Sequence, residues 1–156
     1  MNKMEAFDRD PMILLHDVAR IMRTRFDQRA RARGMTRAQW VILARLSRQP
    51  GLSQNEMAAI CEVEPITVGR LIDRLEARGF VERRADPDDR RIRRLHLLPA
   101  AQPIVDEISN YKNEMSAEVF GGLSEKETAQ LVDSLLHIKN NLNADSADVP
   151  QLAVGE

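Results

Sequence analysis

The chain has 156 residues and a formal net charge of −1, and hydrophobic and charged residues make up 43% and 30% of it. This length suits one compact domain with an added helical element, and this composition excludes a disordered chain. No apolar run approaches the roughly 20 residues of a membrane span, the N-terminus lacks the apolar core of a signal peptide, and the single cysteine, Cys61, excludes an intrachain disulfide. We therefore expect a globular cytoplasmic protein.

The charges are distributed unevenly along the chain. Residues 1–94 carry 20 Lys and Arg against 14 Asp and Glu, whereas residues 95–156 carry 3 against 10. All 19 arginines precede residue 95, and the planar guanidinium suits phosphate and guanine better than the ammonium group of lysine does. This asymmetry indicates a basic surface for a polyanion and a separate acidic part, although a solvated surface accounts for any single run of charges.

Local signals predict the first three helices. Asp10 and Pro11 suit the N-cap and first-turn positions of helix one, and Gly34 suits its end. Two capping boxes, each a Thr or Ser followed three residues later by Gln or Glu, predict that helix two begins at Thr36 and helix three at Ser53. Apolar residues recur at helical spacing through all three segments.

A break at Glu62-Val63 is followed by a fourth predicted helix from Pro65 to Gly79, for which Glu64 suits the N-cap. One face is apolar, and another carries polar and basic residues: Thr67, Arg70, Arg74 and Arg78. Gly69 in mid-helix costs roughly 1 kcal/mol relative to alanine. Close approach to a phosphate backbone and close packing against another helix explain this glycine equally well.

The second half of the chain predicts a hairpin and two further helices. Strands at residues 80–84 and 92–98 flank the turn-forming sequence ADPDD. A fifth helix begins near Pro99 and Pro103, and a third capping box at Ser124 begins a sixth. Their apolar residues are Ile104, Ile108, Tyr111, Met115, Leu131, Leu135, Ile138 and Leu142. Residues 144–156 are predicted to form a flexible tail, and the fold class is mainly α with a small β-hairpin.

Helix three, a short break, helix four and a hairpin are the order of a winged helix-turn-helix. In that motif the second helix enters the major groove of DNA, and a hairpin arginine can enter the neighbouring minor groove. Asp89 is adjacent to the hairpin arginines. Its carboxylate can form a bidentate pair that orients one of their guanidinium groups. The hairpin alone fits a solvated turn equally well, but together the segments predict an interface with double-stranded DNA. Its residues are Ser53, Gln54, Pro65, Thr67, Arg70, Arg74, Arg84, Asp89, Arg90, Arg91 and Arg93.

Residues 51–97 resemble the DNA-binding core of the MarR family of transcriptional regulators, chiefly through LIDRLEARGFVERR at 71–84 and DRR at 89–91. The order of six helices extends this resemblance to nearly the whole chain. It implies a winged helix-turn-helix lobe at 36–98, a helical dimerisation region at 10–34 and 100–143, and an obligate homodimer. It also implies that Asp89 braces Arg91 in the minor groove and that Arg70 contacts DNA from helix four.

Other kinds of site have less support. The histidines lack metal-ligand spacing and no nucleotide-binding or nucleophile motif is present, so we predict no catalytic residue, no metal site and no cofactor. Cys61 is predicted to be a buried structural thiol, and Trp40 to lie in the core. The resemblance implies a small phenolic or carboxylate effector, for which helix one offers His16, Arg20 and Arg23.

Two functional hypotheses follow. The first is a homodimeric, sequence-specific repressor that binds a palindromic operator and is released by the effector. The alternative is a winged-helix module that docks another protein and does not bind DNA. The arginines on helix four and the hairpin favour the first hypothesis, because a protein-docking module is expected to show apolar or acidic residues at those positions.

Overall fold

The computed structural model describes residues 7–146 of the chain and the side chains of residues 7–144. Its elements are α1 (Pro11–Ala32), α2 (Arg37–Arg48), α3 (Gln54–Cys61), α4 (Pro65–Ala77), β1 (Val81–Ala85), β2 (Arg93–Leu97), a short 3₁₀ turn (Pro99–Ala101), α5 (Gln102–Val119) and α6 (Glu125–Ser146). This confirms the predicted class, mainly α with one hairpin. Across residues 7–146, no helix is both long enough and apolar enough to span a membrane.

The helix starts follow from side-chain caps. The Asp10 carboxylate accepts hydrogen bonds from the N–H groups of Met12 and Ile13, at 2.8 and 3.3 Å. The boxes that begin at Thr36, Ser53 and Ser124 form reciprocally, as predicted. At Ser124, these hydrogen bonds lower the pKa of the Glu127 carboxyl that completes the box. Glu64 occupies the predicted N-cap position of α4, but its side chain makes no capping hydrogen bond. The helix begins instead with Pro65 in its first turn.

The turn between α3 and α4 depends on a left-handed residue. Glu62 has φ 55° and ψ 42°, and its N–H donates to the carbonyls of Ala58 and Ala59. Few non-glycine residues adopt this conformation, and it reverses the chain within the predicted break. The left-handed conformation of Glu62 thus helps to set the direction in which the chain enters α4.

The hairpin pairs β1 and β2 antiparallel, from Val81 opposite Leu97 to Ala85 opposite Arg93. We call β1, β2 and the turn between them, residues 81–97, the wing. The inward side chains of Val81 and Leu95 are buried together with residues of α2, α3 and α4. The largest fully buried side chains are Trp40, Ile42, Leu43, Leu46, Met57, Ile72, Leu75, Leu95, Val68 and Val81. The wing is thus anchored in the same core as the helix-turn-helix.

Backbone contacts divide the chain into a unit that ends at Asn110 and a second unit that begins at Tyr111. The first unit contains the core, with Trp40 fully buried and edge-on to Phe26 at a ring distance of 5.5 Å. This confirms the prediction for Trp40. The second unit contains the end of α5 and all of α6, where most described side chains are exposed.

The prediction that Cys61 is buried was wrong in part. Cys61 is half-buried instead of buried; desolvation nonetheless raises the pKa of its thiol, against the opposing charge of Arg45. Helix α6 continues through Ser146, so residues 144–146 are helical and only 147–156 of the predicted tail lie outside the described residues. On α5, Ile108 and Met115 are already buried within the chain.

Candidate nucleic-acid interface

The first turn of α3 is tied to the wing. The Glu56 carboxylate accepts from the Ser53 N–H at 2.8 Å, and the Ser53 hydroxyl accepts from the Glu56 N–H at 3.1 Å. Ser53 also forms an isolated β-bridge with Arg94 of β2. Because Ser53 belongs both to the α3 cap and to the sheet, the wing and the start of α3 are held in one arrangement.

Arg83 joins the wing to both helices of the helix-turn-helix. Its guanidinium lies 2.8 Å from the Asp73 carboxylate and 2.6 Å from that of Glu76, both on α4. It also donates to the Gly69 carbonyl at 3.0 Å and to the Gln54 side-chain oxygen at 3.3 Å. Only 23% of the side chain is exposed. Through these contacts, Arg83 connects β1 to α3 and α4.

Gly69 is explained by helix packing. A Cβ added to Gly69 would lie 3.0 Å from the side-chain nitrogen of Gln54 on α3. The same Gln54 nitrogen approaches the Pro65 carbonyl at 3.5 Å. Of the two alternatives for this glycine, the structure favours close packing of α4 against α3. Gln54, predicted as a DNA contact, is engaged within the protein through both its oxygen and its nitrogen.

The outward face of α4 matches its prediction, except at the C-terminal end. Pro65, Thr67, Arg70 and Arg74 are exposed, while Val68, Ile72 and Leu75 on the opposite face are buried. Arg78 was assigned to the same basic face, yet its guanidinium donates to the carbonyls of Gly34 and Arg33, at 3.3 and 3.5 Å. It also lies over the Phe80 ring at 4.9 Å. The Arg78 guanidinium is therefore engaged in contacts within the protein.

The wing turn is organised around one carboxylate. The Asp86 side chain accepts from the N–H groups of Asp88 and Asp89, at 2.8 and 3.0 Å, and from Nε of Arg94 at 2.7 Å. Chiefly through Arg94, these hydrogen bonds lower the pKa of the Asp86 carboxyl and keep it ionised. Arg94 also donates to the Gly51 carbonyl at 3.3 Å and lies 3.5 Å from the Glu56 carboxylate. Arg94 therefore stabilises the fold of the wing.

Asp89 and Arg91 form the bidentate pair that the family resemblance implied. Nε and a terminal nitrogen of Arg91 donate to the two Asp89 carboxylate oxygens, each at 3.1 Å. The Arg91 N–H donates to the same carboxylate at 3.0 Å. The pairing with Arg91 is the main cause of the lowered pKa of Asp89. Because 90% of the Arg91 side chain is exposed, the pair orients a guanidinium that points into solvent.

The remaining predicted residues surround this pair. Arg90 and Arg93 are exposed, and Arg84 is exposed with its Nε 2.6 Å from the Glu82 carboxylate. A cleft of about 240 Å³ between the start of α3 and the wing is lined by Ser53, Gln54, Asn55, Arg91, Ile92 and Arg93. The structure thus brings together α3 and wing residues that were predicted to belong to one interface with DNA.

The predicted effector residues lie on α1. His16, Arg20 and Arg23 are exposed, and Arg20 donates to the Asp17 carboxylate at 3.1 Å. A cleft of about 420 Å³ lies beside Cys61 instead, lined by residues from 27 to 63 that include Arg37 and Val41. Among the described residues, no three His, Cys, Asp or Glu side chains are grouped as a metal site requires.

Sequence reasoning missed the residues that position this surface, Arg83, Asp86 and Arg94. One signal was available for Arg83, since it stands two residues after the apolar Val81 in a predicted strand and therefore shares its inward face. A charge at such a position needs a partner. A second signal was the presence of arginines on both predicted strands, because like charges that face each other across a strand pair, as Arg84 and Arg94 do, require neutralisation.

The comparisons with known proteins agree on one family. The family model described as MarR matches residues 35–92. The crystal structure of the transcriptional regulator PA3341 is 33% identical, with a TM-score of 0.75 over 84% of this chain and 96% of that one. The crystal structure of MarR is 26% identical, with a TM-score of 0.75 over 96% and 99%. A MepR-DNA complex from S. aureus, 24% identical, matches the fold with a TM-score of 0.74 over 86% and 98%.

Proposed function

Because the chain belongs to the MarR family of transcriptional regulators, we propose that it acts in the cytoplasm as a homodimer that binds a palindromic operator and represses transcription. The observation that carries the DNA-binding part of this proposal is the Asp89–Arg91 pair. A solvent-directed arginine held by two hydrogen bonds has the geometry required to enter a narrow minor groove. The MepR neighbour, whose structure contains DNA, supports the same use of this fold.

Ser53 is proposed to contact a phosphate at the start of α3, where free N–H groups and the helix dipole favour anions. Pro65, Thr67, Arg70 and Arg74 are proposed to face the major groove from α4. Arg84, Arg90 and Arg93 are proposed to contact the backbone on either side of Arg91. Gln54 is proposed to contribute mainly by fixing Arg83, given its contacts to that side chain.

The operator is expected to be an inverted repeat with half-site centres about one helical turn, ~10 bp, apart, because a two-fold dimer presents two α4 helices to one side of the duplex. Selection of bound duplexes from a random library, followed by footprinting, measures the spacing. Protection of a lone half-site would contradict the proposal. Failure to retain any duplex at 50 mM salt would favour the alternative, a winged-helix module that docks protein.

Dimerisation is proposed from the apolar side chains that the single chain leaves uncovered. On α1, these are Met12, Leu14, Leu15, Val18, Ile21 and Met22, and on α6 they are Val132, Leu135, Leu136, Ile138 and Leu142. Each of these helices therefore carries more exposed apolar surface than scattered single residues account for. A second copy of the chain is the proposed partner, since symmetric pairing covers the same surface on both copies.

Leu135→Glu is expected to convert the dimer to a monomer at micromolar concentration, because it places a charge in the proposed contact. Sedimentation velocity measures this change. His137→Glu is the matched control, because it introduces the same charge two residues later on the opposite face of α6 and is expected to leave the dimer intact. A parent protein that sediments as a stable monomer would refute the dimer.

A small aromatic or carboxylate effector is proposed to weaken DNA binding, with His16, Arg20 and Arg23 of α1 as its contacts. The support is the family membership and the exposure of these three basic side chains. An effector can release DNA only to the extent that it binds the free form more tightly than the bound form. Phenolic carboxylates screened against the preformed complex should include one that releases the operator from the parent but not from Arg20→Ala. Release from neither protein by any compound would count against the proposal.

A further inference from the structure

One apolar side chain is exposed in the middle of the proposed DNA surface. Ile66, the second residue of α4, is 67% exposed. Of the exposed large hydrophobic side chains in the described part of the chain, it alone lies between Met22 and Val119. The others belong to the segments around α1 and α6, for which a second copy is the proposed partner. The proposed contact between two copies therefore does not explain why Ile66 is exposed.

The register of α4 holds Ile66 away from the core. Val68, Ile72 and Leu75 are fully buried on one side of the helix, and a residue two positions before Val68 lies about 200° around the axis from it. Ile66 instead shares its face with Arg70, four residues later. Because Pro65 and the left-handed Glu62 fix where the helix begins, this side chain cannot rotate inward without moving α4.

The chemistry of this face limits what Ile66 can recognise. Thr67 and Arg70 offer hydrogen-bond donors to a duplex, whereas a branched hydrocarbon offers only apolar contact. In the major groove the bases present nitrogen and oxygen groups, and the C5-methyl of thymine is the apolar group among them. A protein partner is a poorer fit, because one isoleucine beside the cations of Arg70 and Arg74 is far smaller than an apolar docking patch.

We propose that Ile66 packs against a thymine methyl in the major groove, so that each half-site of the operator holds a thymine facing the start of α4. The inference rests on the proposed function and adds a specificity-determining residue to it. Ile66 acts here by direct contact, and the donors of Thr67 and Arg70 fix the register in which that contact forms.

The test removes the methyl group from the DNA and the isoleucine from the protein. The operator is selected from a random duplex library with the full-length parent, and each thymidine of its half-sites is then replaced in turn by deoxyuridine. At one position, this is expected to raise the Kd of the parent about fourfold for each half-site changed, as the loss of one buried methyl predicts. With Ile66→Ala, thymidine and deoxyuridine at that position are expected to bind equally.

Two controls assign the effect to Ile66. Thr67→Ser removes the exposed methyl group of the neighbouring residue and should keep the full deoxyuridine penalty. Thermal unfolding of Ile66→Ala should match that of the parent, since the side chain is mostly exposed. The inference is overturned if no thymidine shows a penalty, or if the penalty persists in Ile66→Ala or disappears in Thr67→Ser, while operator binding itself still stands. If the parent selects no duplex, the proposed function fails and the inference fails with it.

Discussion

Raising the salt concentration from 50 to 200 mM is expected to lower the affinity for the operator by about three to five decades, because a dimer that contacts roughly 6–10 phosphates releases that many counterions. In each protomer, six exposed arginines lie on the proposed surface: Arg70, Arg74, Arg84, Arg90, Arg91 and Arg93. Doubling this set in a dimer supplies enough cations for that range of contacts. Titrations at several salt concentrations should give a log–log slope of about −5 to −9.

Single-charge variants separate local contacts from the net charge. Arg90→Ala is expected to reduce the magnitude of the slope by about two, because each protomer loses one phosphate contact. Lys126→Ala removes the same charge from the exposed first turn of α6 and should leave the slope unchanged. A flat salt profile, or equal changes in both variants, would mean that the contacts proposed for the wing do not form.

The parts of the fold that were predictable depend on residues close together in the sequence. The boxes at Thr36, Ser53 and Ser124 join groups only three residues apart, so the residue types alone indicate the bond. A pair between Asp89 and a neighbouring arginine was predictable for the same reason, whereas the family resemblance indicated that the partner is Arg91, two residues away. In each case the acceptor is on a short side chain and the donor is only a few residues away, so few other hydrogen bonds can form between them.

The full contact sets of Arg83 and Arg94 were not predictable in this way, because some of their partners are distant in the sequence. Arg83 reaches Gln54 across 29 residues, and Arg94 reaches the Gly51 carbonyl across 43. Arg78 was misassigned for the same reason, since its acceptor at Gly34 is 44 residues away. Helical periodicity places these arginines on a face, but it does not determine which of them the fold uses internally.

Exposed residues present a different difficulty. The outward position of Thr67, Arg70 and Arg74 was predictable from the spacing of the buried residues on α4. The target of an exposed side chain is not encoded in that spacing, because the same exposure serves water, DNA or protein. Ile66 was overlooked although the same spacing places it outward, because it lies two residues before the buried Val68 and four before Arg70.

Asp89→Ala is expected to weaken operator binding by about tenfold, although it removes a negative charge that faces a polyanion. The Asp89 carboxylate holds the Arg91 guanidinium through two hydrogen bonds, and its loss leaves Arg91 to sample orientations that do not enter the minor groove. Arg91→Ala should cost more, because it removes the guanidinium itself, a released counterion and the preference for a narrow A·T tract. Titration of both variants against one operator at fixed salt measures these effects.

The neighbouring Asp88→Ala is the matched control. Asp88 is exposed in the same turn, and its N–H donates to Asp86, so its replacement removes an equal charge without removing the brace. Long-range electrostatics alone therefore predicts slightly tighter binding for both aspartate variants, whereas bracing predicts opposite signs for two adjacent residues. Arg78→Ala should change binding little, because its guanidinium is engaged with the Gly34 carbonyl and the Phe80 ring. If Asp89→Ala binds as tightly as Asp88→Ala, the wing acts as a basic patch and Arg91 needs no positioning.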